Sequence, residues 1–223
     1  MSNIKQKFLI VLALVCIIIA MSLLFNEYKQ VNDTTIVYSK IADHFHEHQA
    51  VKPEDHSSVN LLPETIKGWI SVGSTKIDYP IVIGTDNDFY QSHDYNGDPC
   101  IYGAIFIDCR NSSSMQDDYT VIYGHNSKHS LMFSDLKKFI KYHDLPIKLW
   151  DRHYEYDCTV KAVSILNEDD PIYSLCDFDT MKDSIKNNAL YYDDFDKGVI
   201  LLSTCYGNRG TNKRLVVAIS KNI

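Results

Sequence analysis

The run Val199-Ile-Leu-Leu-Ser-Thr-Cys205-Tyr-Gly-Asn-Arg-Gly-Thr-Asn-Lys-Arg214-Leu-Val-Val-Ala-Ile219 holds two apolar segments separated by a polar turn that contains two glycines. Each segment is short and rich in aliphatic residues, and neither alternates polar with apolar. Both therefore read as strands buried on two faces and joined as a hairpin. The hairpin sets Cys205 at the mouth of a rigid strand and brings Arg214, at the start of the returning strand, back toward the sulfur. A thiol in that position is held yet reachable, as a nucleophile must be. The same placement also suits a structural cysteine buried at a strand end.

The residues before the hairpin have the same texture. Short β-rich runs punctuated by turn residues are Gly68-Trp-Ile-Ser-Val72, Ile77-Asp-Tyr-Pro-Ile-Val-Ile83, Ala104-Ile-Phe-Ile-Asp108, Tyr119-Thr-Val-Ile-Tyr123, Ile147-Lys-Leu-Trp150 and Tyr154 to Leu166. With the hairpin they make about eight strands. Apolar residues at helical spacing mark two interruptions: Leu131, Leu136 and Ile140 within residues 130–142, and Phe178, Met181, Ile185 and Ala189 within residues 178–190. Many short strands with few helices predict a mainly β fold, a closed or nearly closed barrel with helical insertions.

The first 25 residues differ from the rest. Phe8 to Phe25 is an uncharged run of 18 residues, long enough to cross the hydrocarbon core as a helix. It exceeds the apolar core of most cleaved signal peptides and lacks a good small-residue cleavage site, so an uncleaved anchor is expected. Lys5 and Lys7 precede it, which leaves residues 1–7 in the cytoplasm and the rest outside. Residues 26–63 are polar and His-rich, with Val37, Ile41 and Phe45 at helical spacing, and read as a helical arm. Residues 64–223 form the working domain. The net charge of -7 makes nucleic acid an unsuitable partner.

Two groups of potential ligands carry no metal signature. His44, His46 and His48 stand at i, i+2, i+4 and do not share a helical face, so they read as solvated. Of the six cysteines Cys16 lies in the apolar run, which leaves an odd number outside and at least one thiol without an intrachain partner. Cys100, Cys109, Cys158 and Cys176 read as small buried hydrophobes. Tyr123-Gly124-His125-Asn126 closes another apolar strand and places an imidazole at its mouth, with Gly124 allowing the backbone to turn. A Cys–His pair on neighbouring strand ends can supply the acid and base of acyl transfer, and the permanent cation of Arg214 could hold an oxyanion.

Together, Leu201-Leu-Ser-Thr-Cys205, Arg214-Leu-Val-Val and Tyr123-Gly-His125 resemble the Thr-Leu-x-Thr-Cys, Arg and His set of sortases. Gly68-Trp-Ile, Ile77-Asp-Tyr-Pro-Ile-Val, Asp86-Asn-Asp-Phe-Tyr90 and Gly103-Ala-Ile-Phe-Ile-Asp108 are similar to class B members in particular. The resemblance implies an eight-stranded sortase barrel with N-terminal helices and a helix between the sixth and seventh strands that walls the substrate groove. It implies a membrane-bound enzyme of a Gram-positive surface that needs no metal or cofactor. Such an enzyme cuts a C-terminal sorting signal of the Pro-x-Thr type after Thr, holds the protein as a thioester and passes it to an amine of the peptidoglycan precursor or wall peptide. By motif match Cys205 is the nucleophile, His125 the acid and base, and Arg214 the carbonyl and oxyanion stabiliser. Ser203, Thr204 and Asn87 match positions that contact the signal.

Three positions depart from the pattern. Leu201 stands where many sortases have Thr, and Gln91 where an apolar groove residue is expected. Arg209, in the hairpin turn, is an alternative to Arg214, which opens the apolar strand as the family's Arg does. Rival readings are weaker. The His-x-x-Ser-x-Gly pattern that precedes the cysteine of L,D-transpeptidases is missing, and there is no Asp-Pro-aromatic lid of the pilin-polymerising class. A membrane-tethered binding domain gives Cys205, His125 and Arg214 no joint purpose.

Overall fold

The structure, a computed structural model, describes residues 2–51, 58–207 and 210–222. Arg209 lies outside them. The chain divides into two compact units, residues 1–39 and 40–223. Through the first and into the second runs one helix, α1 (Ser2–Val51), which joins the expected anchor to the expected helical arm without a break. Within it Phe8 to Phe25 present apolar side chains to the outside all round, the pattern of a helix solvated by lipid rather than by water.

Nine strands occur among the described residues: β1 (Ile66–Val72), β2 (Asp78–Ile83), β3 (Ile105–Ile107), β4 (Tyr119–Tyr123), β5 (Ile147–Asp151), β6 (Glu155–Asn167), β7 (Ala189–Tyr192), β8 (Val199–Cys205) and β9 (Lys213–Lys221). Their order is β5-β1-β2-β3-β4-β8-β9-β6, and pairing of β5 with β6 closes these eight into the expected barrel. The ninth, β7, lies outside the ring and pairs with β6 at Ala162–Ser164. Residues 189–190, expected to finish a helix, belong to this strand. Helix α2 (Phe178–Asn187) stops earlier, at an Asn-Asn pair of low helix propensity. It lies between the sixth and seventh strands of the ring. The stretch expected to be helical at 130–142 is a 3-10 helix over Phe133–Ile140.

Most neighbours are antiparallel, but β2–β3 and β4–β8 are parallel. The second parallel pair decides where the chemistry sits, because parallel strands end on the same side of a sheet. Tyr119–Tyr123 run beside Val199–Ser203 in register, so the residues following Tyr123 and Ser203 emerge together.

Strand β8 is buried on both faces. Val199 and Leu201 belong to a cluster with Tyr119, Val216, Met181 and Ile185, in which α2 covers the outside of the barrel, while the intervening Ile200 and Leu202 are also fully buried. That sandwiching explains an apolar run without alternation. On another side, the end of α1 in the second unit is fixed by Phe45, fully buried and stacked 4.3 Å from Trp69. Next to it, His46 Nε2 contacts Asp78 Oδ2 at 2.8 Å.

Candidate active site

Cys205 is the last residue of β8 and the first exposed one after six buried residues. Its register partner on β9 is Arg214, so the hairpin read from the sequence is present and in that alignment. Tyr206 N–H donates to the Lys213 carbonyl and carries the pairing one step beyond Cys205. Three bonds join β8 to the end of β4. Gly124 N–H donates to the Ser203 carbonyl, Thr204 Oγ1 donates to the Gly124 carbonyl at 2.7 Å, and Asn126 Nδ2 donates to the Cys205 carbonyl at 2.9 Å. His125 lies between the last two anchors, and its backbone is therefore fixed relative to that of the cysteine.

Gly124 acts through space rather than through the turn conformation expected of it. Its φ lies outside the left-handed region, but a Cβ there would sit 2.5 Å from Ile105 Cδ1 and 2.7 Å from Phe133 Cδ2. Only hydrogen fits against the buried Phe133 ring.

The His125 ring donates from Nε2 to the main-chain carbonyl of Gln91 at 2.8 Å. A carbonyl can only accept, so this contact puts the proton of the neutral ring on Nε2 and leaves Nδ1 as the basic nitrogen. The carbonyl belongs to a short 3-10 turn, Phe89–Gln91. Gly103 packs against that turn at a φ of +60°, where a Cβ would meet the Tyr90 carbonyl oxygen at 2.4 Å. Arg214 is held by Glu168, Nη2 to Oε2 at 2.8 Å, while Nη1 donates to the carbonyls of Lys213 and Thr211 at 3.1 and 3.3 Å.

All six residues singled out from the sequence line one cavity of about 270 Å³: Cys205, His125, Arg214, Ser203, Thr204 and Asn87. Ser203 and Thr204 are almost fully buried and their hydroxyls are engaged, Ser203 Oγ with the Tyr173 hydroxyl at 2.8 Å and Thr204 with Gly124. Asn87 donates to Asp108 Oδ2 at 2.9 Å and accepts from Cys109 N–H at 2.8 Å. Gln91 does line the cavity, but its side chain turns back to the Asn87 carbonyl and the Asp88 carboxylate.

Sequence reasoning missed Phe106, Tyr123, Glu168 and Tyr173, which complete the lining. Tyr123 was legible as the last residue of an apolar strand beside His125. Tyr173 and Glu168 follow β6 in a loop with no pattern of its own. The two tyrosine rings lie 6.2 Å apart. Burial pushes both phenols well above their usual range, so each stays a neutral hydroxyl in the cavity wall.

All six cysteines are free thiols. Cys158 is buried as expected, and burial raises its pKa to about 12. Cys100, Cys109 and Cys176 are only half-buried, a departure from the expected burial that follows from their places in loops rather than in strands. Among the described residues no cluster of His, Cys, Asp or Glu is arranged to hold a metal ion.

A sortase-domain family model matches residues 70–222. Sortase B of Listeria monocytogenes is 37% identical over 124 residues, which are 55% of this chain and 50% of that protein, so the match spans half of the relative's length. Sortase B of Staphylococcus aureus is 26% identical over 204 residues, 83% of each chain. The fold is similar to that of the Staphylococcus aureus sortase B–substrate complex, with a TM-score of 0.71 at 23% identity, over 87% of this chain and 98% of that one. The chain belongs to the sortase family of cysteine transpeptidases, and the relatives to which it is similar are class B sortases.

Proposed function

We propose that this chain is a membrane-anchored transpeptidase that cuts a C-terminal sorting signal of the Pro-x-Thr type after Thr and joins the shortened protein to a cell-wall amine. The observation that carries the reading is the placing of Cys205 and Arg214 opposite each other on β8 and β9, with His125 at the end of β4 facing the same cavity. Helix α1 supplies the anchor: it is long and apolar enough to cross a membrane, with residues 1–7 inside and the barrel outside.

In the first half-reaction the Cys205 thiolate attacks the Thr carbonyl carbon, and a C–S bond forms. The Arg214 guanidinium donates to the oxygen that takes up the negative charge, in place of one of its present acceptors. His125, as imidazolium, gives a proton to the departing amine as the C–N bond breaks, which leaves a thioester. In the second half-reaction His125 takes a proton from the attacking wall amine, the C–S bond breaks and the sulfur is released. Ser203, Thr204 and Asn87 hold the signal in this scheme. With their hydroxyls engaged and their main chains paired within the sheet, Ser203 and Thr204 contribute packing, and Asn87 contributes an N–H.

The test uses the full chain in detergent with a library of Pro-x-Thr pentapeptides and a small amine as acceptor. The product expected by mass spectrometry carries the amine on the carboxyl of Thr. Cleavage at another bond, or cleavage that continues unchanged in Cys205→Ala, counts against the proposal.

A further inference from the structure

Behind the cavity wall lies a charged pair that touches no lining space itself. Asp108, just after β3, is fully buried. Arg110 donates to it from Nε at 2.8 Å, from Nη2 at 2.7 Å and from its main-chain nitrogen at 3.1 Å. Two further donors are cavity-lining side chains, the Tyr123 hydroxyl and Asn87 Nδ2, both at 2.9 Å from Oδ2. Arg110 Nη2 also donates to the Tyr173 carbonyl at 2.7 Å, and the Tyr173 hydroxyl meets Ser203. One ion pair is thus bonded to three segments of the wall: the loop after β2, the end of β4 and the 3-10 turn Pro171–Ser174.

The consequence for Asn87 is specific. A carboxylate can only accept and a main-chain N–H can only donate. With Nδ2 on Asp108 and Oδ1 on the Cys109 N–H, the carboxamide has one orientation, since a flip would set oxygen against carboxylate and N–H against N–H. One N–H of Nδ2 is left over, on a residue that lines the cavity. We propose that Asp108 is the positioning residue of the signal groove, fixing Asn87 so that its remaining N–H donates to a main-chain carbonyl of the bound signal. This rests on reading the cavity as the signal groove. A buried carboxylate is costly to keep unless its bonds are complete, and here Arg110 supplies part of the set while the rest comes from two groove side chains, Asn87 and Tyr123.

The test is a double-mutant cycle in the full chain in detergent, with a quenched Pro-x-Thr pentapeptide as probe. Asn87→Ala should raise KM about tenfold, the value of one lost hydrogen bond, with kcat little changed. Asp108→Asn, which keeps the size but offers N–H where five donors meet, should raise KM by a similar factor. The double variant should be no worse than Asn87→Ala alone. Effects that multiply, or an Asp108→Asn loss confined to kcat, overturn the proposal. Should Asp108→Asn fail to fold, or should wild type not cut the peptide and so sink the functional reading instead, side-chain amide exchange in the wild type decides. One Nδ2 proton of Asn87, identified by its loss in Asn87→Ala, should be strongly protected. Fast exchange of both protons overturns the assignment.

Discussion

At the scale of single residues, the strongest constraint on the site is that its groups are fixed through their main chains. Cys205 is pinned by Asn126 and by its pairing with Arg214, so its main chain, from which the sulfur projects, cannot move far without breaking β8 from β4 or β9. Arg214→Lys keeps the charge but loses the planar fork that now reaches Glu168 and two carbonyls. Peptide cleavage by that variant should fall about 10²-fold, the size of effect seen when an oxyanion donor is lost. His125 makes a second, independent prediction. Nitrogen NMR of the neutral ring should find the proton on Nε2, the nitrogen that donates to Gln91. A proton on Nδ1 would mean that the contact does not orient the ring.

Among the elements, the strands were legible and the insertions were not, for a physical reason. Strands β1 to β6, β8 and β9 all overlap β-rich runs of the sequence, and the clearest of them, β8, is apolar without alternation because it is packed on both faces. Strand β7 was hidden. It is four residues long, half-exposed, and continues the apolar spacing of the helix before it. The catalytic candidates were legible because each lies at or next to one end of such a strand. Glu168, Tyr173 and the Asp108–Arg110 pair were not, since loops and buried polar bonds leave no periodicity to read. Helix α2 gives a test of the packing. Ile185 is fully buried in the cluster that α2 shares with β6, β8 and β9, so Ile185→Ala should cost about 2–5 kcal/mol in chemical unfolding. At the end of β4, Gly124→Ala must push against the buried Phe133 ring, at a cost of about 1–3 kcal/mol. Because His125 is next in the chain, cleavage should fall as well. Unchanged activity would show that this approach does not set the histidine.

Across the whole molecule, closure of the barrel brings together residues that the chain keeps far apart. The fold also carries an acid limit. Burial alone would raise the Asp108 carboxyl, but the bonds and charge of Arg110 and the Tyr123 hydroxyl outweigh it and hold the pKa below its ordinary 3.8. A lowered carboxyl stabilises the fold above the ordinary value, and that stability is lost as pH falls through the folded one. Urea unfolding should therefore separate wild type from Asp108→Asn by a constant amount at neutral pH. The gap should shrink below about pH 4. The orientation proposed for α1 predicts that protease added to intact protoplasts digests the chain after residue 26, whereas full protection would contradict an external barrel. The central claim, that Cys205, His125 and Arg214 form one centre, is tested most directly by mapping the acyl-enzyme. Wild type incubated with a Pro-x-Thr pentapeptide, quenched and digested, should carry a thioester ending in Thr on Cys205, and Cys205→Ala should carry none. A thioester on Cys100, Cys109, Cys158 or Cys176 would contradict the account.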